Sequence, residues 1–178
     1  DLSLTECAQV LGSDAPAPGG GSAAALSAAN GISLTKMVCE LTLGKKKYAE
    51  FEAEIAQVHT ESARLQESLL AAIDKDTEAF NLVSAVFDMP KETEEDKAAR
   101  REAMQQALKE ATQSPYGMME DILTALQTTQ KAVGKSNTNT ASDLGVAALN
   151  LKVGLQGAWL NVLINLSGAK NKAFVAEY

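Results

Sequence analysis

YAEFEAEIAQVHTESARLQESLLAAIDKDTEAFNLVSAVF, residues 48–87, runs without a proline or a glycine. Its apolar positions step by threes and fours through Phe51, Ile55 and Val58, then Leu65, Leu69 and Ala72, then Phe80, Val83 and Phe87, the period of one amphipathic helix. Continuing that register places Ser62 and Asp76 on the buried stripe. Asp74 lies about 200° away from Asp76 around the helix and points outward. A carboxylate on a core stripe is costly unless it is bonded or used. Asp76 is therefore either a buried aspartate bonded to a neighbouring helix or a carboxylate held in a cleft for proton transfer or cation stabilisation.

The segments on either side carry the same helical signature. Residues 2–11 read as a short amphipathic helix, followed by a linker, Ala15-Pro16-Ala17-Pro18-Gly19-Gly20-Gly21, that no helix crosses. Ser22 is the natural N-cap of an alanine-rich helix over residues 23–43 that stops at Gly44, with Lys45, Lys46 and Lys47 past its negative end. After Pro90, Thr93 and Asp96 resemble a capping box, with Asp in place of the usual Glu or Gln. The helix that follows is expected to break at Ser114-Pro115, and another to run over residues 116–133 to a stop at Gly134. Ser142-Asp143 opens the last long helix as N-cap and acidic first turn. On its wheel, with Asn150 at zero, Gly154, Gly157, Asn161 and Asn165 fall between −20° and 60°, whereas Lys152 falls near 200°. A stripe of amides and glycines either bonds neighbouring helices or lines a polar cavity. The expectation is one all-α domain over 1–178, an up-and-down bundle of about five to six helices with long central ones.

Composition narrows the function. In 178 residues, 16 basic and 23 acidic side chains leave a net charge of −7, which removes the electrostatic footprint of a nucleic-acid or anionic-membrane binder. The C-terminal part, residues 130–178, is locally positive, with five basic and two acidic side chains. The apolar run 144–166 is interrupted by Asn150, Lys152, Gln156, Asn161 and Asn165, so it reads as a buried soluble helix rather than a membrane span. Two cysteines and one histidine provide neither a disulfide framework nor a zinc cluster. A cytoplasmic protein without metal is expected. Cys39 has no histidine or helix N-terminus nearby to activate it, and His59 has no partner in sequence. The Gly19-Gly20-Gly21-Ser22 turn offers amide donors at a helix start, suited to an anion or a carbonyl oxygen, but it is not a P-loop.

Several segments together resemble the cyclodeaminase/cyclohydrolase family of folate enzymes. They are Pro16-Ala17-Pro18-Gly19-Gly20-Gly21-Ser22-Ala23-Ala24-Ala25, Met37-Val38 with Leu41-Thr42 and Lys46-Lys47-Tyr48, and Asp74-Lys75-Asp76-Thr77-Glu78-Ala79-Phe80. The resemblance continues through Pro90-Lys91, Ser114-Pro115, Asn137-x-Asn139 with Ser142-Asp143-Leu144-Gly145, and Asn161-Val162-Leu163-Ile164-Asn165. It implies an all-α bundle, usually a homodimer, acting on one-carbon units of tetrahydrofolate without cofactor or metal. It makes Asp76, the second aspartate of DxDxxAF, the catalytic residue, the position that the helical register singles out independently. It places Gly20, Gly21, Ser22, Asn137, Asn139 and Asp143 around the substrate, and Asn161 and Asn165 suit the edge of a pterin. Lys46, Lys47 or Lys152 suit the glutamate tail of a polyglutamylated folate. The implied reaction is hydrolysis of 5,10-methenyltetrahydrofolate to the 10-formyl product, ahead of formiminotetrahydrofolate cyclodeamination, because no formiminotransferase part accompanies the motifs. The reading from another class is a non-catalytic helical bundle that binds folate or a protein.

Overall fold

A computed structural model describes residues 2–178, so Asp1 lies outside the described residues. Among them are six α-helices and no strand: α1 (Leu4–Leu11), α2 (Gly20–Glu40), α3 (Glu52–Phe87), α4 (Glu94–Ala132), α5 (Ala141–Gly168) and α6 (Lys172–Val175). Single 3-10 turns at Lys46–Phe51 and Thr138–Thr140 lead into α3 and α5. The four long helices form an up-and-down ring in which α2 packs on α3, α3 on α4, α4 on α5 and α5 back on α2. This is the expected all-α architecture. Its centre holds Ile32, Leu65, Leu69, Ile122 and Leu151, all fully buried. A second cluster around Val38, Ile55, Val58 and Leu144 fills the end where α2 stops.

Small residues set how α2 and α5 meet. A Cβ added to Gly154 would stand 2.8 Å from the Ala28 Cβ, and one on Gly31 would stand 2.8 Å from the Ala147 carbonyl oxygen. The two helices therefore approach closely, antiparallel, leaving no room for a side chain at either glycine.

Several expectations change in the folded chain. No break occurs at Pro115: α4 runs through it for 39 residues. Helix α2 starts three residues earlier than its alanines suggest, with Gly19 as N-cap. Ser22 is thus not a cap, and its hydroxyl turns to α3. Helix α5 begins at Ala141 behind Thr140, which leaves Asp143 in the first turn without making Ser142 the cap. Phe80 and Phe87, expected inside, are exposed, whereas Val86 in the same last turns is buried, so only one edge of this part of α3 is covered. By contrast Thr93 and Asp96 form both halves of the capping box. Ser62 is fully buried as its register requires. Gly134 takes a φ of +77° just past α4, a conformation glycine adopts without steric cost.

Candidate active site

The site at Asp76 is built from the close approach of α3 to the first turn of α2. Helix α2 opens with no side-chain cap, so its first amides face outward with the positive end of the helix dipole. The Asp76 carboxylate sits against that turn. A Cβ on Gly21 would overlap it, which is why a glycine occupies this position. The Ser22 hydroxyl donates to Asp76 Oδ2 over 2.8 Å, with the Ile73 carbonyl 3.2 Å away and the Thr77 hydroxyl 3.4 Å away as weaker neighbours. Asp76 is half-buried rather than buried: it lines a cleft instead of filling the core, and Asp74 points outward as expected.

The cleft has a volume of about 340 Å³. Pro16, Gly19, Gly20 and Gly21 form one wall, Asp76, Phe80 and Val83 of α3 another, and Ala111 of α4 with Asn161 and Asn165 of α5 the rest. Asn161 donates to the Gly157 carbonyl of its own helix at 2.9 Å. Asn165 donates to the Ala111 carbonyl of α4 at 2.7 Å. Each amide is thereby oriented and keeps its side-chain oxygen as an acceptor. Of the residues singled out from sequence, Gly20, Gly21, Ser22, Asp76, Asn161 and Asn165 come together here. A half-buried carboxylate beside amide donors and amide acceptors can take a proton from water and stabilise a cation next to it.

The remaining candidates lie at the opposite end of the bundle. Helix α2 has 21 residues, which separates its two ends by about 30 Å. Past its C-terminus, Asn137 donates its backbone N–H to Thr42 Oγ1 at 2.9 Å and its side-chain amide to the Leu41 carbonyl at 3.0 Å. Its side-chain oxygen accepts from the Asn139 N–H at 3.1 Å. Asn137 thus clamps the loop before α5. Tyr48, unassigned from sequence although it follows the lysine run, is buried here. Its hydroxyl accepts from the Thr138 N–H at 3.0 Å and pairs with the Thr138 hydroxyl at 3.2 Å. These two bonds, aided by Lys47, hold the Tyr48 phenol down at about 8 against the effect of burial. Lys47 Nζ lies 3.4 Å from the Thr138 hydroxyl and 5.2 Å from the Tyr48 ring centre. Asn139 is exposed and Asp143 half-buried beside this cluster. A groove of about 560 Å³ adjoins it, between the end of α4 and the start of α5, and no titratable residue lines it among those described.

The other reactive side chains have ordinary explanations. Cys39 is fully buried, and burial with the neighbouring Glu40 pushes its thiol up to about 11, so it is no nucleophile at neutral pH. His59 pairs with Glu40 at 2.7 Å. No cluster of His, Cys, Asp and Glu among the described residues could hold a metal ion. No helix among them is long and apolar enough to cross a membrane.

A helical bundle with a single aspartate poised at a glycine-rich helix start defines a class, and comparison identifies it. Residues 3–178 match the family model described as Formiminotransferase-cyclodeaminase, and the chain belongs to that family. It is 44% identical over 167 residues to the methenyltetrahydrofolate cyclohydrolase of Methylorubrum extorquens, covering 94% of this chain and 80% of that one. It is 35% identical over 171 residues to the formimidoyltransferase-cyclodeaminase of Sus scrofa, of which it spans 31%. The crystal structure of formiminotetrahydrofolate cyclodeaminase from Thermotoga maritima superposes with a TM-score of 0.87 at 29% identity, over 99% of this chain and 84% of that one.

Proposed function

We propose that the protein hydrolyses 5,10-methenyltetrahydrofolate to 10-formyltetrahydrofolate, with Asp76 as general base and cation stabiliser. The observation that carries this reading is the Asp76 carboxylate held at Oδ2 by Ser22 in a cleft edged by Gly20, Gly21, Asn161 and Asn165. The substrate's reacting carbon belongs to a cationic amidinium, and a carboxylate beside it lowers the barrier in two ways. It offsets the positive charge, and its free oxygen takes a proton from the attacking water. The side-chain oxygens of Asn161 and Asn165 accept from the pterin edge. The reading needs no cofactor, because proton transfer and charge stabilisation are supplied by these side chains. The similarity to a methenyltetrahydrofolate cyclohydrolase over most of both chains supports the hydrolase. A homodimer in the cytoplasm, acting on polyglutamylated folates, completes the proposal.

Cyclodeamination is the second reading, favoured by the likeness to the Thermotoga enzyme. The same carboxylate would move protons as N10 attacks the formimino carbon and ammonia leaves. Incubation with methenyl- and with formimino-tetrahydrofolate separates them: loss of the methenyl chromophore in the first assay means hydrolase, and its appearance in the second means deaminase. Folded protein inactive in both would overturn the enzyme reading.

A further inference from the structure

A second cavity of about 340 Å³ lies between α3 and α4, lined by Phe87 of α3, by Lys91 of the connecting loop, and by Lys97, Arg100, Arg101 and Met104 of α4. Four of these six residues are cations and none is acidic, in a chain of net charge −7. Arg100 is fixed in place: its Nε donates to the Val86 carbonyl at 3.0 Å and its Nη2 to the Phe87 carbonyl at 3.3 Å. Its guanidinium thereby stands 6.0 Å from the centre of the Phe87 ring. Lys97 pairs with Glu94 at 2.8 Å. Lys91 and Arg101 form no ion pair among the described residues. Four like charges around one cavity repel one another, and an anionic ligand relieves that repulsion.

This cavity and the Asp76 cleft open on one groove. With Asp76 at zero on the α3 wheel, Phe80, Val83 and Phe87 fall at about 40°, −20° and 20°. Phe80 and Val83 line the cleft, and Phe87 lines the basic cavity. With Ala111 at zero on α4, Met104, Arg100, Lys97 and Arg101 fall at about 20°, −20°, 40° and 80°. Ala111 lines the cleft, and the other four line the basic cavity. Helix α5 stops between the two: the carbonyl of Gly168, its last residue, accepts from Gln105 Nε2 at 3.1 Å. Past that point Phe87 is 60% exposed. From Asp76 to Phe87 the groove runs about 16 Å along α3.

We propose that this basic cavity holds the outer γ-linked glutamates of a polyglutamylated folate whose reacting carbon lies at Asp76 of the same chain, a role that rests on the folate reading above. The p-aminobenzoyl ring then lies along Phe80 and Val83. The carboxylates beyond the first glutamate meet Lys91, Lys97 and Arg101, and Arg100 adds its charge while holding the end of α3. These contacts are remote from the reacting carbon and equal in ground and transition state. They therefore lower KM for long-tailed substrates and leave kcat alone.

The length of the substrate's tail tests the site. At low salt, wild type should show a KM for triglutamylated methenyltetrahydrofolate about fivefold below that for the monoglutamate, the size of a few exposed charge contacts, with the same kcat. Added salt should erase the difference. Lys91→Ala with Arg101→Ala should bring the two KM values together by raising that of the triglutamate. Lys91→Arg with Arg101→Lys, which keeps both charges, should retain most of the preference. One KM for both substrates in wild type, or a fivefold preference that survives in the double alanine variant, would overturn the site. If wild type turns over neither folate, the function reading falls, and the cavity is decided by titration calorimetry with tri-γ-glutamate peptide alone. Binding to wild type that the double alanine variant loses upholds a γ-glutamyl site; equal binding to both, or to neither, overturns it.

Discussion

Asn165 donates its side-chain amide to the carbonyl oxygen of Ala111 over 2.7 Å, and Ala111 stands four residues before Pro115, inside α4. Proline has no N–H to return to that carbonyl, so an amide from α5 takes the place of the missing helical bond. This accounts for the survival of α4 through its proline. It also fixes the orientation of the Asn165 side chain at the cleft wall.

The substitution pair follows from that relationship. Asn165→Ala should lose roughly 1–2 kcal/mol in urea denaturation, the size of one hydrogen bond removed from the carbonyl of the buried Ala111. In a Pro115→Ala background the helix supplies its own N–H, and Asn165→Ala should then cost clearly less. Equal losses in both backgrounds would show that Asn165 stabilises through something other than Ala111.

At the catalytic end, three changes should separate chemistry from folding. Asp76→Asn removes the base while keeping shape, and turnover should fall by about 10²–10⁴. Gly21→Ala places a Cβ where the Asp76 carboxylate lies; a displacement of about 1 Å is enough for a ~100-fold loss. Ser22→Ala removes one charge-assisted bond, for a loss of about tenfold. Thermal melts of all three should remain cooperative, and a Gly21→Ala protein with wild-type turnover would remove Asp76's proximity to α2 from the mechanism.

Much of this was legible in the chain because it is local. The α3 register at residues 48–87 turned Asp76 inward, where it is half-buried at a cleft rather than in the core, and Thr93 with Asp96 marked a helix start that the structure retains. Asn161 and Asn165 share a helical face with Gly157 and reach one cleft. What was not legible depends on distant partners. The donor that lets α4 pass Pro115 lies 54 positions from the carbonyl it serves. Ser22 looks like a cap until α3 brings Asp76 to its hydroxyl. The order of motifs carries no distances, so Lys47, Asn137, Asn139 and Asp143 read as companions of Asp76 although the length of α2 holds them at the other end. Phe80 and Phe87 keep the core period but stay exposed, Phe80 at the cleft wall, since periodicity does not reveal how far the neighbouring helices cover α3.

Glycines within helices should respond oppositely according to what faces them. Gly154→Ala drives a Cβ to 2.8 Å from Ala28 and 2.9 Å from the Ala24 carbonyl. The expected net loss is about 1–2 kcal/mol, overpacking outweighing the gain in helix propensity. Gly117→Ala lies within α4 with nothing within 4 Å of the new methyl, and should stabilise by roughly 0.5–1 kcal/mol. If both changes stabilise, the α2–α5 contact is looser than its geometry requires.

Tyr48 offers a spectroscopic mark of the second cluster. The chain has three tyrosines, of which Tyr48 is held down at about 8 by the Thr138 hydroxyl and N–H, while burial pushes Tyr178 above its ordinary value. An ultraviolet titration should therefore show one phenol ionising near pH 8, well ahead of Tyr178, and Tyr48→Phe should erase that step. Because the folded chain favours the phenolate, ionisation of Tyr48 adds stability that grows as pH rises from about 8 to 10, is complete above the unfolded tyrosine's ordinary value, and is lost as pH falls back through 8. The stability gap between wild type and Tyr48→Phe should widen over that window. A gap that narrows instead would mean that the Thr138 bonds favour the protonated phenol, and would deprive the cluster of its electrostatic character.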